Sequence, residues 1–397
     1  MRKQLLLSLG ILAFLALATI MVILYGEGYR FGFNGKPEVV GTGLLVATSS
    51  PDGAQVFVNN HLTTATNNTI NLFPGTYSVK IFKDGYFSWQ KQIVVQKEVV
   101  AKAEALLFPT APQLASLTQT GVSHPVIDPT LTKVAFTVAS QSVRKNGIYI
   151  FNLGNHSLIS LQGGATQIAD DTTDTFSSSQ LSWSPDGKNL LATVSASTKT
   201  STTYLLDATG FNATPQDVSE TLPAVQANWD KIRETQTTLQ IATLKKPLAV
   251  FLQANTKILA FSPDETKILY EATDSAKLPQ IIKPPLIGTD STPEVRNLEN
   301  NTMYVYDVKE DKNFKIAGVT DGNLPQLSWY ADSKHLVLVE NKRIAVMEYD
   351  GQNKTIVYAG PFESPYVYPG PDGTSIIILT NLDNPDILPN LYSIGLK

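Results

Sequence analysis

The chain has 397 residues, 43% hydrophobic and 17% charged, with a formal net charge of −4 and no cysteine. That length suits two or three domains at ~150 residues each, and the apolar content is enough for true cores. The charge balance disfavours a nucleic-acid partner, and the missing cysteines exclude disulfides, thiolate metal sites and cysteine nucleophiles.

The first element is an uncharged run from Leu5 to Tyr25. At ~1.5 Å rise per residue it is long enough for the ~30 Å hydrocarbon core of a bilayer. Arg2 and Lys3 precede it and no basic pair follows closely, so the positive-inside rule keeps the N-terminus cytoplasmic and sends the remainder across. Ala16-Leu17-Ala18 has the form of a signal-peptidase site, but Thr19 to Tyr25 continue apolar beyond it, which favours an uncleaved anchor. Tyr25, Tyr29, Phe31 and Phe33 then cluster as interfacial aromatics do, among Gly26, Gly28, Gly32 and Gly35 of a flexible exit.

From Gly43 to Phe108 the pattern is strand and turn. Val56 and Val58 alternate with Gln55 and Phe57 before a turn at Asn59-Asn60. Tyr77, Val79 and Ile81 form a period-two strand, Asp84-Gly85 another turn, then Trp89, Lys91, Ile93 and Val95 a second alternating set. Ala101, Ala103, Ala105 and Leu107 close the series, and about six short strands predict a small antiparallel sandwich. Pro51-Asp52-Gly53-Ala54, Leu72-Phe73-Pro74-Gly75-Thr76-Tyr77 and Lys83-Asp84-Gly85-Tyr86, in that order, resemble the PEGA domain, with Asp52 in place of the family's Glu. The resemblance implies a small extracytoplasmic β-module of bacterial envelopes, acting as spacer or wall contact. Pro51, Gly53, Ala54, Pro74, Gly75 and Gly85 read as turn and strand-start residues.

A second pattern begins after Gly121: an aromatic or apolar residue, a Ser-Pro-Asp-Gly-like turn, then an apolar strand. The sharpest copies carry Trp183, Pro185, Asp186 and Gly187; Pro263 and Asp264; and Trp329 and Asp332. Weaker ones lie at Asp128 to Phe136, with Thr130 in the place of the aspartate, and at Pro371, Asp372 and Gly373. Most copies are followed by a second apolar run, the pattern of propeller blades that bury their faces only against each other. The widest gap, Asp186 to Asp264, has room for a degenerate blade at ~40–45 residues each, and the expected count is six. Gln216 to Lys246 departs from the pattern, with only a partial helical face at Trp229, Ile232 and Leu239. Ala272 to Asn301, holding Pro279, Pro284, Pro285 and Pro293, reads as a long surface loop. The repeat resembles that of TolB-like periplasmic propellers, and the whole arrangement resembles bacterial envelope proteins joining a PEGA domain to a propeller.

The expected organisation is a cytoplasmic tail (1–4), a transmembrane helix (5–25), a juxtamembrane linker (26–42), a PEGA-like domain (43–108) and a β-propeller (113–397). The fold class is all-β with one N-terminal helix. Little in the sequence points to chemistry. His61, His124, His156 and His335 have no metal-ligand spacing, and His335 reads as a solvated or capping turn residue. There is no Gly-x-Ser-x-Gly elbow and no phosphate-cradling loop. Asp170, Asp171 and Asp174 miss the calcium-loop frame and read as a solvated acidic loop. Lys309-Glu310-Asp311-Lys312 reads as a mixed-sign hairpin tip. Sequons, including Asn155, would matter only in a eukaryotic secretory pathway. No catalytic residue, cofactor or metal is expected. The leading expectation is a membrane-anchored binding or scaffold protein whose partner is an envelope protein or wall glycan. The alternative is an envelope hydrolase or carbohydrate-active enzyme with carboxylates gathered at the propeller mouth.

Overall fold

The computed structural model describes residues 2–26, 29–33, 37–154, 164–197, 200–318 and 324–397. Gly28, Gly35, Asn155 and His156 lie outside the described residues. The chain divides into two compact units: residues 1–107 with 282–293, and residues 108–281 with 294–397. Residues 282–293 therefore leave the segment read as one contiguous propeller and join the first unit.

The first unit opens with helix α1 (Arg2–Gly26). Its stretch Leu7–Gly26 has a mean hydropathy of 2.7, and none of its most apolar window is covered by the protein, so it is long and apolar enough to cross a membrane. A hairpin of β1 (Tyr29–Phe33) and β2 (Pro37–Gly41) follows. The sandwich contains β3 (Gly43–Ser50), β4 (Gln55–Val58), β5 (His61–Ala65), β6 (Asn68–Leu72), β7 (Gly75–Phe82), β8 (Trp89–Val95) and β9 (Val100–Leu106). They form two sheets, β6-β3-β9 and β5-β4-β7-β8.

Period-two patterning decides which side chains face inward. Val56, Val79, Ile81, Ile93, Ala101, Ala103 and Leu107 meet in one core with Trp89. The β4–β5 connection turns at Asn59 and Asn60, both left-handed at φ 48° and 65°, the twist that two-residue hairpins favour. One pairing departs from the antiparallel expectation. β9 runs parallel to β3, from Leu44 opposite Val100 to Ser50 opposite Leu106. A parallel neighbour needs a crossover, and here the second sheet supplies it.

β8 ends its sheet, and residues 282–293 cover part of its free edge. Ser291 Oγ accepts from Val94 N at 2.9 Å, and Lys91 Nζ lies 3.0 Å from Asp290 Oδ2. Edge strands left bare invite foreign pairing, and this strap blocks it. The supposed surface loop from Ala272 to Asn301 is thus an ordered insertion. Its base stays in the second unit as a neck bridged between Lys277 and Asn297, with Leu278 and Leu298 buried. Its tip belongs to the first unit.

Among the described residues the second unit contains five four-stranded antiparallel sheets, hereafter blades 1 to 5, with strands within residues 123–170, 180–217, 256–318, 326–358 and 367–395. The last gains its outer strand, Leu114–Ser116, from the start of the unit, so the ring is closed by pairing early chain with late chain. Apolar faces join blade 1 to blade 2 (Ala135 and Ile148 with Trp183 and Leu206) and blade 3 to blade 4 (Leu269 and Val305 with Trp329 and Leu338). Another joins blade 5 to blade 1 (Ile377 and Leu391 with Val134 and Phe136). Between blades 4 and 5, Gln326 Nε2 donates to the Pro365 carbonyl at 3.0 Å.

The expected sixth blade is absent among the described residues. The wide gap after Asp186 is filled by α2 (Leu222–Ala242) and α3 (Lys246–Asn255). Leu222, Val225 and Trp229 of α2 cover Leu191, Leu205 and Val218 of blade 2. Leu248 and Leu252 of α3 cover Ile268, Tyr270 and Tyr304 of blade 3. The helical pair therefore covers one face of blade 2 and one of blade 3, in the chain segment where the sequence left room for a further blade. The working helical face runs through Leu222, Val225 and Trp229, whereas Leu239 is exposed.

Candidate functional site

The five turns that follow the first strands converge at one end of the ring. In each, the residue after the aspartate position is left-handed: Leu131, Gly187, Glu265, Ser333 and Gly373 have φ of 58°, 66°, 56°, 59° and 64°. Such a turn needs acceptors for its inward N–H groups, and the aspartates supply them. Asp186 accepts from Ser184 Oγ at 2.6 Å and Lys188 N at 3.2 Å. Asp264 accepts from Ser262 Oγ and from both Thr266 N and Oγ1. Asp332 accepts from Lys334 N and His335 N, and Asp372 from Thr374 N and Oγ1. In blade 1 the acid sits two positions earlier than the repeat predicts. Asp128, not the place of Thr130, accepts from Thr130 N, Thr132 N and Lys133 N.

These turns also touch their neighbours. Asp264 N donates to Ser333 Oγ at 3.0 Å, the Tyr330 hydroxyl donates to the Gly373 carbonyl, and Lys133 Nζ reaches the Gly187 carbonyl at 3.5 Å. Between them opens a cavity of about 230 Å³, lined by Thr130, Leu131, Thr132, Pro263, Trp329 and Ala331 with the Pro369–Pro371 stretch. Among the described residues none that lines it is a carboxylate or a histidine.

Electrostatics at the turns follow their hydrogen bonding. Burial pushes the Asp264 carboxyl upward, but the hydroxyls of Ser262 and Thr266, the Thr266 amide and the Lys267 ammonium outweigh it and hold it at about 2. Burial likewise opposes ionisation of Asp332, and His335 more than compensates, so the carboxyl lies below its ordinary value. His335 itself is buried rather than solvated. Its Nδ1 lies 2.6 Å from Asp332 Oδ2, and Phe108 and Tyr330 meet its ring edge-on.

A second concavity, of about 340 Å³, lies between the first strands of blade 2 and α2. Its polar wall includes Gln180, Ser182, Gln226 and Thr193, and Arg233 Nη2 is 2.7 Å from Asp230 Oδ1. The sequence marks Ser182 and Thr193 only as members of the repeat and does not mark Gln180, Gln226, Asp230 or Arg233. One signal was available: Gln-Leu-Ser-Trp occurs twice, at 180–183 and 326–329.

The remaining candidates are structural. Asp171 accepts from Ser177 N and Oγ, Asp170 from Thr172 N, and Asp174 from the Tyr204 hydroxyl, so this acidic loop ties itself down. Lys309 to Lys312 form the hairpin tip that the sequence predicts, between the strands Thr302–Asp307 and Lys312–Gly318, and Asp311 within it is buried. It receives the Tyr306 hydroxyl at 2.7 Å, Ile281 N at 2.7 Å and Arg296 Nη2 at 3.1 Å. Arg296 also donates to the Pro279 carbonyl and pairs with Glu294 at 2.9 Å. This network fastens the neck of the insertion. In the first unit, Gly53 and Gly85 are left-handed at φ 68° and 81°. Ala54 is wholly buried, the carbonyl of Asp52 receives Lys83 Nζ at 2.6 Å, and Pro51 accepts from Ser49 Oγ at 2.7 Å. Pro74 and Gly75 form an exposed turn leading into β7, with the Tyr77 hydroxyl donating to the Phe73 carbonyl. The structure thus brings the blade-turn residues together at one end of the ring, while Pro51 to Gly85 stay in the sandwich.

No curated protein matches the chain. Solved structures that resemble it include a protein assigned as TolB from Agrobacterium tumefaciens, at 12% identity over 70% of this chain and 74% of that one, with a TM-score of 0.22. Another is TolB from Acinetobacter baumannii, at 14% identity over 80% of this chain and 60% of that one, with a TM-score of 0.23. Residues 42–110 match the family model of the PEGA domain.

Proposed function

We propose that the chain is a membrane-anchored, extracytoplasmic binding or scaffold protein of the bacterial cell envelope. In this reading α1 holds it in the bilayer with the N-terminus cytoplasmic. The PEGA domain serves as spacer or wall contact, and the propeller mouth receives an envelope protein or wall glycan. The observation that carries it is the chemistry of that mouth. Every turn carboxylate is engaged as an acceptor within its own turn, and the cavity is lined by prolines and threonines with Leu131, Trp329, Ala331 and Gly370. A glycosidase needs two carboxylates ~5–10 Å apart and facing the bond they cleave. A rigid rim of short, hydrogen-bonded turns suits recognition instead. In the blade 2 concavity the single acid, Asp230, is already paired with Arg233.

The test is co-sedimentation of residues 43–397 with purified cell-wall sacculi at low and high salt. It is paired with photo-crosslinking in cells from Ala331 at the mouth and from exposed Leu239 on α2. Salt-resistant pelleting, or a crosslink formed from Ala331 and not from Leu239, supports the reading. Absence of both overturns it.

A further inference from the structure

The strap carries an exposed apolar tip. Leu286 is 47% and Ile287 73% exposed, preceded by exposed Lys283 and by Pro284-Pro285. Soluble surfaces scatter single apolar residues freely, but contiguous ones mark an interface. Here the neighbours extend the patch. A side chain at Gly288 would meet Val99 Cγ1 at 2.7 Å and the Val100 carbonyl at 3.3 Å, which fixes the tip against the start of β9. Val100 is 44% exposed, and so is its strand partner Leu44, at 37%.

The same corner is tied to the exit of α1. Helix α1 ends at Gly26, and Tyr29 follows within a span of at most ~11 Å. The Tyr29 hydroxyl donates to Glu98 Oε1 at 2.9 Å, and Lys97 Nζ sits 5.5 Å from the Tyr29 ring centroid. Lys97 and Glu98 form the turn immediately before Val99 and Val100. The path from the end of the apolar helix to Ile287 therefore runs through Tyr29, Glu98, Val99 and Gly288.

We infer that Leu286 and Ile287, with Val100 and Leu44 beside them, dip into the headgroup layer of the bilayer that α1 spans. Lys283 then lies at the level of the lipid phosphates. The inference rests on the reading of α1 as a membrane anchor. The patch is continuous with the exit of that helix, apolar at its tip and basic at its margin, the composition of an interfacial insertion. A wedge of this kind gives the PEGA domain a second point of attachment to the bilayer.

The absence of cysteine allows clean single-site labelling. The full chain carrying Ile287→Cys, Leu62→Cys or Phe14→Cys is labelled with an environment-sensitive fluorophore and reconstituted into phosphatidylethanolamine–phosphatidylglycerol vesicles. Nitroxide lipids are placed either near the headgroups or deep in the acyl chains. Leu62 is the control: it is 61% exposed, on β5 at the sheet edge opposite β8. The expected result is quenching at position 287 by nitroxides ~5–10 Å below the headgroups, quenching at position 14 by deep nitroxides, and none at position 62. Quenching at 14 with no more at 287 than at 62 overturns the inference and leaves the anchor standing. No quenching at 14 overturns the anchor, and the inference with it.

Discussion

Trp183, on the first strand of blade 2, donates its indole N–H to the carbonyl of Val126 on the first strand of blade 1, 3.0 Å away. Trp329 of blade 4 repeats the bond to Ala260 of blade 3 at 3.4 Å, and Tyr368 of blade 5 reaches back to Pro125 with its hydroxyl at 2.8 Å. Each ring buries its apolar body between two sheets while its polar tip satisfies an inner-strand carbonyl. The aromatic of the repeat is thus a joint between blades.

Replacing Trp183 by Phe keeps most of the apolar contact and removes the bond. The expected loss is about 1–2 kcal/mol of stability, read as a lower urea midpoint for residues 43–397. Trp329→Phe should cost less, because its bond is longer. Equal losses would mean that ring volume, not the bond, matters.

The left-handed turn position gives an opposed pair of substitutions. Gly187→Ala places a Cβ at φ 66° and 3.1 Å from Asp128 Oδ2, and should destabilise by about 1–2 kcal/mol. Leu131→Gly relieves a similar φ of 58°. It should be neutral or stabilising by up to ~1 kcal/mol, because relief of strain exceeds the added chain entropy. Thermal unfolding of the two variants against the parent decides both signs.

Asp264 makes acid stability site-specific. Its folded carboxyl titrates at about 2, below its ordinary value of 3.8. The stabilisation is therefore present above pH 3.8 and lost as pH falls through about 2. Because the carboxyl is largely exposed, screening reduces its worth to about 1 kcal/mol or less. The thermal midpoint of Asp264→Asn should lie below that of the parent at neutral pH, and the two curves should converge towards pH 2. Parallel curves would assign the acid sensitivity to other groups.

The strap depends on a buried ion pair. Lys91 and Asp290 are only 10% and 8% exposed at the side chain. Burial opposes the Asp290 charge, and Lys91 with the Thr292 amide holds it ionised, below the ordinary carboxylate range. Asp290→Asn removes the carboxylate charge facing Lys91 in this buried pair, and a loss of up to about 3–5 kcal/mol from the strap–sandwich contact is expected. Hydrogen exchange should then rise across 282–293 and at β8, while the amides of blade 5 stay unchanged. A uniform rise would mean that the ion pair supports the whole chain.

Much of this architecture is legible residue by residue. Alternation at Val56, Val79 and Ile93 announces a half-buried strand because successive side chains point to opposite faces. The Ser-Pro-Asp-Gly turns are equally readable, since proline presets φ and the aspartate must accept the turn's own amides. The helical pair was harder to place. Only Trp229 of the suspected face is deeply buried, and α2 is apolar along one narrow stripe because it covers a single face of blade 2. The hairpin tip at Lys309 to Lys312 is legible as a mixed-sign turn, but the burial of Asp311 within it is not, because it depends on Arg296, over a dozen residues earlier in the chain, folding onto it.

By itself the sequence determined the local grammar: an apolar helix fit to cross a membrane, a strand-rich module resembling PEGA, and a repeated turn-and-strand unit. These follow from side-chain period, length and turn chemistry, which act between near neighbours. Only the tertiary structure decided that, among the described residues, the second unit combines five four-stranded sheets with two helices, and that residues 282–293 serve the first unit. It also decided that the turn aspartates are engaged within their own turns at the mouth. Those outcomes depend on which distant faces are left uncovered and which partners reach them, and no spacing along the chain records that.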